Sequence, residues 1–286
     1  MRMLTVLLVV AAALAVAVLG ARVYGASRWT ADTQDLRASL DAARVAVRPP
    51  RVDFGELAGL PDPVQRFFRA VLKQGQPLVS GVRLRHVGSF NMGETTDRWK
   101  PFTSDQQVVL QRPGFDWDGR IAMLPGLPVR VHDAYIAGDG ILHASMLGVY
   151  TVVDLRGGGA IAEGELLRFF AEAAWYPTAL LPSQGTRWTP IDNRSASATL
   201  TDGPLSVVLR FAFLPDGPID TVFAEARART LAGALVPTPW QGRFWHYEER
   251  GGMRVPLDGE VAWVLPDGAK PYWRGRLTEI AFDFAE

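Results

Sequence analysis

Glu165, Arg168 and Glu172 stand three and four residues apart in a segment, 163–176, that is otherwise almost wholly apolar. At that spacing they share one stripe of a helix, where Arg168 can pair with either acid. Leu166, Leu167, Phe169, Phe170, Ala173 and Ala174 leave little polar perimeter, so the helix reads as buried. A buried charge must be paired, because isolated ionisation inside protein is very costly. The stripe is therefore either an internal ion-pair network or the polar anchor of a ligand head group in an apolar cavity. Acid–base catalysis by the same side chains is the enzymatic alternative, and it requires a carboxyl with a raised pKa in a cleft.

Asp116 and Asp118 form a second acid pair. Two residues apart in a strand, they share one face while Phe115 and Trp117 take the other. Two carboxylates on a face can bind a divalent ion or do acid–base work. The commoner outcome, a solvated outer face behind a buried aromatic pair, is the expectation. His86, His132, His143 and His246 fit no recognised metal spacing. His132 and His246 read as ordinary strand histidines. His132 and Asp133 are sequence neighbours, so a strand sends them to opposite faces and denies them a direct dyad.

No nucleophile elbow, Walker loop or dinucleotide fingerprint follows a strand and opens a helix. Gly157-Gly158-Gly159 precedes a helix but lacks the Lys and Ser/Thr of a phosphate loop, so it reads as a flexible connection. The chain has no cysteine, which excludes disulfides, thiolate nucleophiles, Cys-ligated zinc and a lipid-modified cysteine after the apolar start. No catalytic residue, metal or cofactor is assigned. Thirty basic and 30 acidic residues balance, with no basic run, which argues against a nucleic-acid partner.

Nine tryptophans are the richer signal, many of them in strands or at turn ends: Trp117, Trp175, Trp188, Trp240, Trp245, Trp263 and Trp273. They either fill the core or line a cavity, since a curved sheet needs bulky side chains or a ligand in its concavity. A short echo links Trp240-Gln241-Gly242-Arg243-Phe244 with Trp273-Arg274-Gly275-Arg276-Leu277. It reads as two strands with equivalent Gly kinks.

The elements that must position these residues follow an apolar start. Residues 3–20 are 18 uncharged residues between Arg2 and Arg22. As a helix they cover roughly 27 Å, just enough for a bilayer core of about 30 Å. Residues 1–22 are either a signal peptide or an uncleaved anchor, the anchor being favoured, with Tyr24 and Trp29 at the interface. Arg22, Arg28 and Arg37 after the span would keep the body cytoplasmic, whereas the two-residue head before it is how export signals begin. Export is preferred, which makes this a single-pass inner-membrane protein with a periplasmic body.

Residues 23–59 read as a stalk, with a modest helix over 30–47 (Leu36, Leu40, Ala43, Val47) ended by Arg48-Pro49-Pro50-Arg51. Residues 60–286 read as one β-rich domain. Asp62 suits an N-cap and Pro63 the first turn, and Val64, Phe67, Phe68, Val71 and Leu72 form one apolar face up to Gly75. That face is expected to pack on a sheet rather than lie on a membrane surface. Strand patterns recur at 82–87, 106–111, 115–123, 128–136, 148–155, 196–200, 205–213, 219–229, 243–248, 260–265 and 272–284. Turn chemistry punctuates them, as in Pro125-Gly126, Asp202-Gly203 and Pro266-Asp267-Gly268. The fold class is mainly β with a few helices: a curved antiparallel sheet forming a half-barrel or open barrel around one or two helices.

Several stretches resemble a bacterial family of unknown function, whose members carry an N-terminal membrane segment and one β-rich domain. They are Leu60-Pro61-x-Pro63-Val64-Gln65-Arg66, Phe115-x-Trp117, Asp133-x-Tyr135, Thr238-Pro239-Trp240 and Pro271-Tyr272-Trp273. The most specific is Glu165-x-x-Arg168-x-x-x-Glu172-x-x-Trp175-x-Pro177. The resemblance covers nearly the whole body and transfers no catalytic residue. By analogy its fold is similar to the periplasmic lipoprotein carriers of the LolA/LolB type, in which a curved sheet wraps helices and an apolar cavity. The expectation is a membrane-tethered envelope protein that binds a lipid or other hydrophobic small molecule. Candidate ligand-binding residues are Arg168, Glu165, Glu172, Trp175, Trp117, Trp240, Asp133 and Tyr135. The alternatives are an envelope hydrolase or isomerase of hydrophobic substrates, or an assembly partner of another envelope protein.

Overall fold

Closely spaced strand patterns with Gly and Pro at their joints can only pair with their neighbours by tight hairpins. The computed structural model, which describes residues 2–93, 96–124, 126–231 and 233–286, shows the result. A first meander runs through β1 (Val79–Asn91), β2 (Trp99–Val109), β3 (Gly114–Leu124), β4 (Leu127–Ile136), β5 (Asp139–Met146) and β6 (Tyr150–Gly157). A second runs through β7 (Arg187–Pro190), β8 (Ser195–Asp202), β9 (Leu205–Phe213), β10 (Ile219–Leu231), β11 (Ala234–Arg250), β12 (Met253–Leu265) and β13 (Gly268–Phe284). The two join where β13 pairs antiparallel with β1, giving one sheet with β6 and β7 as its edges. The sheet is therefore curved and open, as expected. β5 and β7 are additions to the expected set. β5 carries Ile141-Leu142 side by side instead of an alternation, and β7 spans only four residues. Pro125 of the expected Pro125-Gly126 turn lies outside the described residues.

α2 (Asp62–Val71), which precedes the first meander, and α3 (Ala160–Ala171), which joins the two, fill the concave face. α2 buries Val64, Phe67, Phe68 and Val71 against β8 and β12, as its periodicity requires. Its N-cap is Pro61, so Asp62 is the first helical residue instead of the cap. α3 starts three residues before Glu163 and tightens into a 3-10 turn at Glu172–Ala174. It packs on β4, β5, β9 and β10, crossing the concavity from one flank to the other.

The segment expected to be a stalk is docked instead. α1 (Arg2–Ala42) is one helix that continues through the apolar start. The described side chains of its first half are mostly exposed, while its second half lies on the convex face of β2, β3 and β4. Leu36 and Leu40 pack there on Val109, Ala134 and Ile136. Trp29, expected at a membrane interface, is 1% exposed and stacks on His132 with ring centroids 4.0 Å apart. Burying one Trp removes about 150–250 Å² from water, an upper bound of roughly 4–6 kcal/mol. Gly25 sets how close the helix comes, since a β-carbon there would lie 2.2 Å from the Leu147 carbonyl oxygen.

The docked helix also overturns the expectation for the acid pair. Asp116 and Asp118 share the convex face, but that face is covered by α1 and not solvated. Arg37 Nε donates to Asp116 at 3.0 Å, and Trp29 Nε1 donates to Asp118 at 2.9 Å. Burial, only partly offset by Arg37, pushes the Asp116 carboxyl up to about 6. His132 lies 2.8 Å from the Thr33 hydroxyl, and burial lowers its pKa to about 3.

Candidate functional site

Strand alternation sends Trp117 and Asp133 to the concave side, away from Asp116 and His132. There α3 delivers Glu165, Arg168 and Glu172 to the same space. Together with residues of β10, β11 and β13 they line a cavity of about 550 Å³ between α3 and the sheet.

Three tryptophans of this cavity share a local device. In Trp117-Asp118-Gly119, Trp240-Gln241-Gly242 and Trp273-Arg274-Gly275, Trp and Gly are two apart and so point to one face. The indole then lies over the glycine. A β-carbon at Gly119 or Gly275 would sit 2.0 or 2.2 Å from the ring, and one at Gly242 would sit 3.4 Å away. The sequence echo thus reports how the aromatic wall is laid flat, and β3 holds a third copy that the sequence reading missed.

The polar part of the wall is an ion-pair network that also faces the cavity. Arg168 donates from Nε to Glu172 at 2.7 Å and from Nη1 to Asp133. Its guanidinium lies over Phe115 and Trp117, at 4.9 and 5.2 Å from the ring centroids. Gln106 Nε2 donates to Glu172 at 2.6 Å. Arg227 of β10 approaches Glu165 at 3.6 Å, lies over Trp240 at 5.4 Å and donates to the Tyr272 hydroxyl at 3.1 Å. Trp240 Nε1 donates to the same hydroxyl at 2.9 Å.

Three carboxyls, Asp133, Glu165 and Glu172, thus meet two guanidiniums. Glu165 Oε2 and Asp133 Oδ1 are buried with no donor among the described residues. Burial, reinforced by the neighbouring Asp133, holds the Glu165 carboxyl well above the usual carboxylate range. Behind this layer His86 sits 4.9 Å from Trp175, with neither ring nitrogen hydrogen-bonded among the described residues. Burial and the nearby Arg168 lower its pKa to about 3.

The sequence candidates Arg168, Glu165, Glu172, Trp175, Trp117, Trp240 and Asp133 all line the cavity. Trp175 is fixed by donating Nε1 to the Pro256 carbonyl at 3.0 Å. Tyr135 lies elsewhere. It shares a strand face with Asp133, but one row further along it is fully buried and donates to Asp202 at 2.7 Å, beside Arg112. Sequence reasoning missed Arg227, and it named Trp263, Tyr272 and Trp273 without choosing them as site candidates. Alternation from the buried Val222 and Ala224 points Arg227 outward. A register shift between Ala224 and Arg227 turns it inward, and no sequence pattern announces that shift.

The cavity extends to Met92, Gly93, Thr230, Leu235 and Lys270, at the ends of β1, β10, β11 and β13 that lie on one side of the sheet. The β3–β4 and β5–β6 turns lie on that same side, and Gly25 of α1 crosses at the second of them. The apolar half of α1 therefore projects from the end where the cavity reaches the surface.

The sequence profile of a family of unknown function, DUF6920, matches residues 58–282, and the chain belongs to that family. No curated protein matches the chain. Among solved structures, a LolA superfamily protein from Nitrosomonas europaea is similar at 10% identity, with 77% of this chain and 92% of that one covered and a TM-score of 0.39. A DUF1329 family protein from Desulfovibrio piger is also 10% identical, with 72% and 86% covered and a TM-score of 0.40.

Proposed function

We propose that this DUF6920 chain is a membrane-tethered binding protein that takes a lipid or similar amphiphile from the bilayer into its cavity. The observation that carries this reading is the common end shared by the cavity opening and the apolar half of α1. Met92, Leu124, Met146, Val149, Tyr150, Leu235 and Val236 are exposed apolar residues at that end. Arg22, Arg98, Lys100 and Lys270 surround them, a charge pattern suited to an anionic lipid surface. With α1 as an inner-membrane anchor, the rim would rest on the leaflet and the cavity would open toward it.

The cavity chemistry fits an amphiphile. Tryptophans and aliphatic side chains make most of its wall, and a few convergent charged groups make the rest. The test is an environment-sensitive acyl-chain probe added to full-length protein in nanodiscs. Saturable blue-shifted emission, above that of empty nanodiscs, is expected. Emission no different from empty nanodiscs would end the reading.

A second reading, an enzyme acting on a hydrophobic substrate, is favoured by one observation, the buried Glu165 carboxyl that lines the cavity, where burial and Asp133 raise its pKa. It predicts turnover of the bound amphiphile that disappears in Glu165→Gln, whereas a carrier releases its ligand unchanged.

A further inference from the structure

We propose that the polar wall of the cavity is a site for the amine or ammonium head of an amphiphile, received by Glu165 and Asp133 among Trp117, Trp240 and Trp273. This rests on the cavity being a binding site and goes further by naming the head group it selects. Arg229 and Lys270, the lining cations with no carboxylate partner among the described residues, stand toward the opening, so an anionic head at this wall would have to take a guanidinium from its partners. Arg168 is committed to Glu172 and Asp133, and Arg227 to Tyr272 and, more loosely, Glu165. A cationic head displaces no partner. It inserts between two buried carboxylate oxygens that have no donor among the described residues, Glu165 Oε2 and Asp133 Oδ1. Glu165 is 7% exposed and lines the cavity.

The charge arithmetic points the same way. With all groups ionised, Asp133, Glu165 and Glu172 against Arg168 and Arg227 leave one buried negative charge, which needs compensation. A proton on Glu165 supplies it in the empty cavity, letting the two abutting carboxyls bond each other. An ammonium supplies it in the loaded one, with the indole faces adding cation–π attraction. Ligand and proton therefore compete for the same place. The other groups around Glu165 are fixed: Arg168 and Glu172 on α3, Asp133 on β4, Arg227 on β10, Tyr272 on β13 and His86 on β1. His86 stays neutral down to about pH 3, leaving Glu165 as the group that exchanges its proton.

The experiment offers full-length protein in nanodiscs an equimolar mixture of dodecylammonium, dodecanol and dodecanoate, read by native mass spectrometry. Calorimetry in two buffers of different ionisation heat then counts protons released on dodecylammonium binding. The expected result is a preference of about tenfold or more for dodecylammonium over dodecanoate, worth roughly 1.4 kcal/mol. Binding should release protons, up to one per ligand, and Glu165→Gln should abolish both the preference and the release. Dodecanoate retained best, or dodecylammonium bound without proton release by the wild type, overturns the proposal and leaves the amphiphile-binding reading standing. Retention of none of the three overturns both.

Discussion

Trp29 Nε1 donates to Asp118 Oδ1 at 2.9 Å, tying the helix that leaves the body to a carboxylate on the back of the cavity's own strand. Asp118 is one residue from Trp117, whose indole lines the cavity on the other face of β3. One strand thus carries the cavity wall on one side and the docking seam of α1 on the other. The body is held at a fixed angle to α1 instead of swinging on a stalk, which keeps the cavity opening turned toward the end from which the apolar half projects.

Truncating the seam should release the helix. Trp29→Ala removes a fully buried indole and is expected to cost about 3–5 kcal/mol. Amide exchange over 26–42 should accelerate well beyond that of the concave core. Uniform acceleration throughout the chain would mean that α1 is integral to folding and not a docked element.

His86 should make the fold acid-sensitive. Its folded pKa of about 3 lies below the unfolded value of 6.5, so between those values the unfolded chain binds more protons and stability falls as pH falls. From about pH 7.5 to 5.5 this group alone removes about 1.4 kcal/mol. His132 acts in the same direction, while Asp116 and Glu165, with raised values, act in the opposite one. Urea unfolding of wild type and His86→Leu at both pH values isolates the effect. Equal pH slopes for the two proteins would contradict it.

Arg168 and Tyr135 separate wall from scaffold. Arg168→Met leaves Asp133 and Glu172 without their cation and should destabilise by about 3–5 kcal/mol. Tyr135→Phe removes one hydrogen bond to Asp202 and should cost about 1–3 kcal/mol. Ligand retention should survive in Tyr135→Phe, because its hydroxyl faces Asp202 and not the cavity. Loss of retention there would restore Tyr135 to the site.

The rim should touch lipid. Because the chain has no cysteine, Tyr150→Cys and Leu235→Cys each accept a single fluorophore, with Asp216→Cys at the opposite end of the sheet as control. Nitroxide lipids in nanodiscs should quench the first two and spare the third. Equal and weak quenching at all three positions would mean that the body stands off the bilayer.

Much of this arrangement was legible in the sequence because it is periodic. Val64, Phe67, Phe68 and Val71 announced a buried helical face, and Glu165, Arg168 and Glu172 announced one stripe. The Trp-x-Gly echo marked two of the three laid-down indoles. What was not legible depends on contacts between distant segments. Trp29, Thr33, Leu36, Arg37 and Leu40 lie on one helical face, but only the docked structure shows their partners Asp118, His132 and Asp116. Arg227 enters the wall through a register shift, and Tyr135 leaves it because strand alternation fixes a face but not a position along the strand.

The measurement that tests the central claim most directly compares the amphiphile that co-purifies with wild type and with Gly164→Phe, using native mass spectrometry and lipid extraction on full-length protein. Gly164 lines the cavity, and a β-carbon there has only Arg227 Nε within 4 Å, at 3.9 Å, so the phenyl ring has room to enter. The account predicts a defined amphiphile bound to the wild type and lost from Gly164→Phe, with the thermal midpoint kept. A wild type that carries no amphiphile, or a filled variant that carries as much, would contradict it.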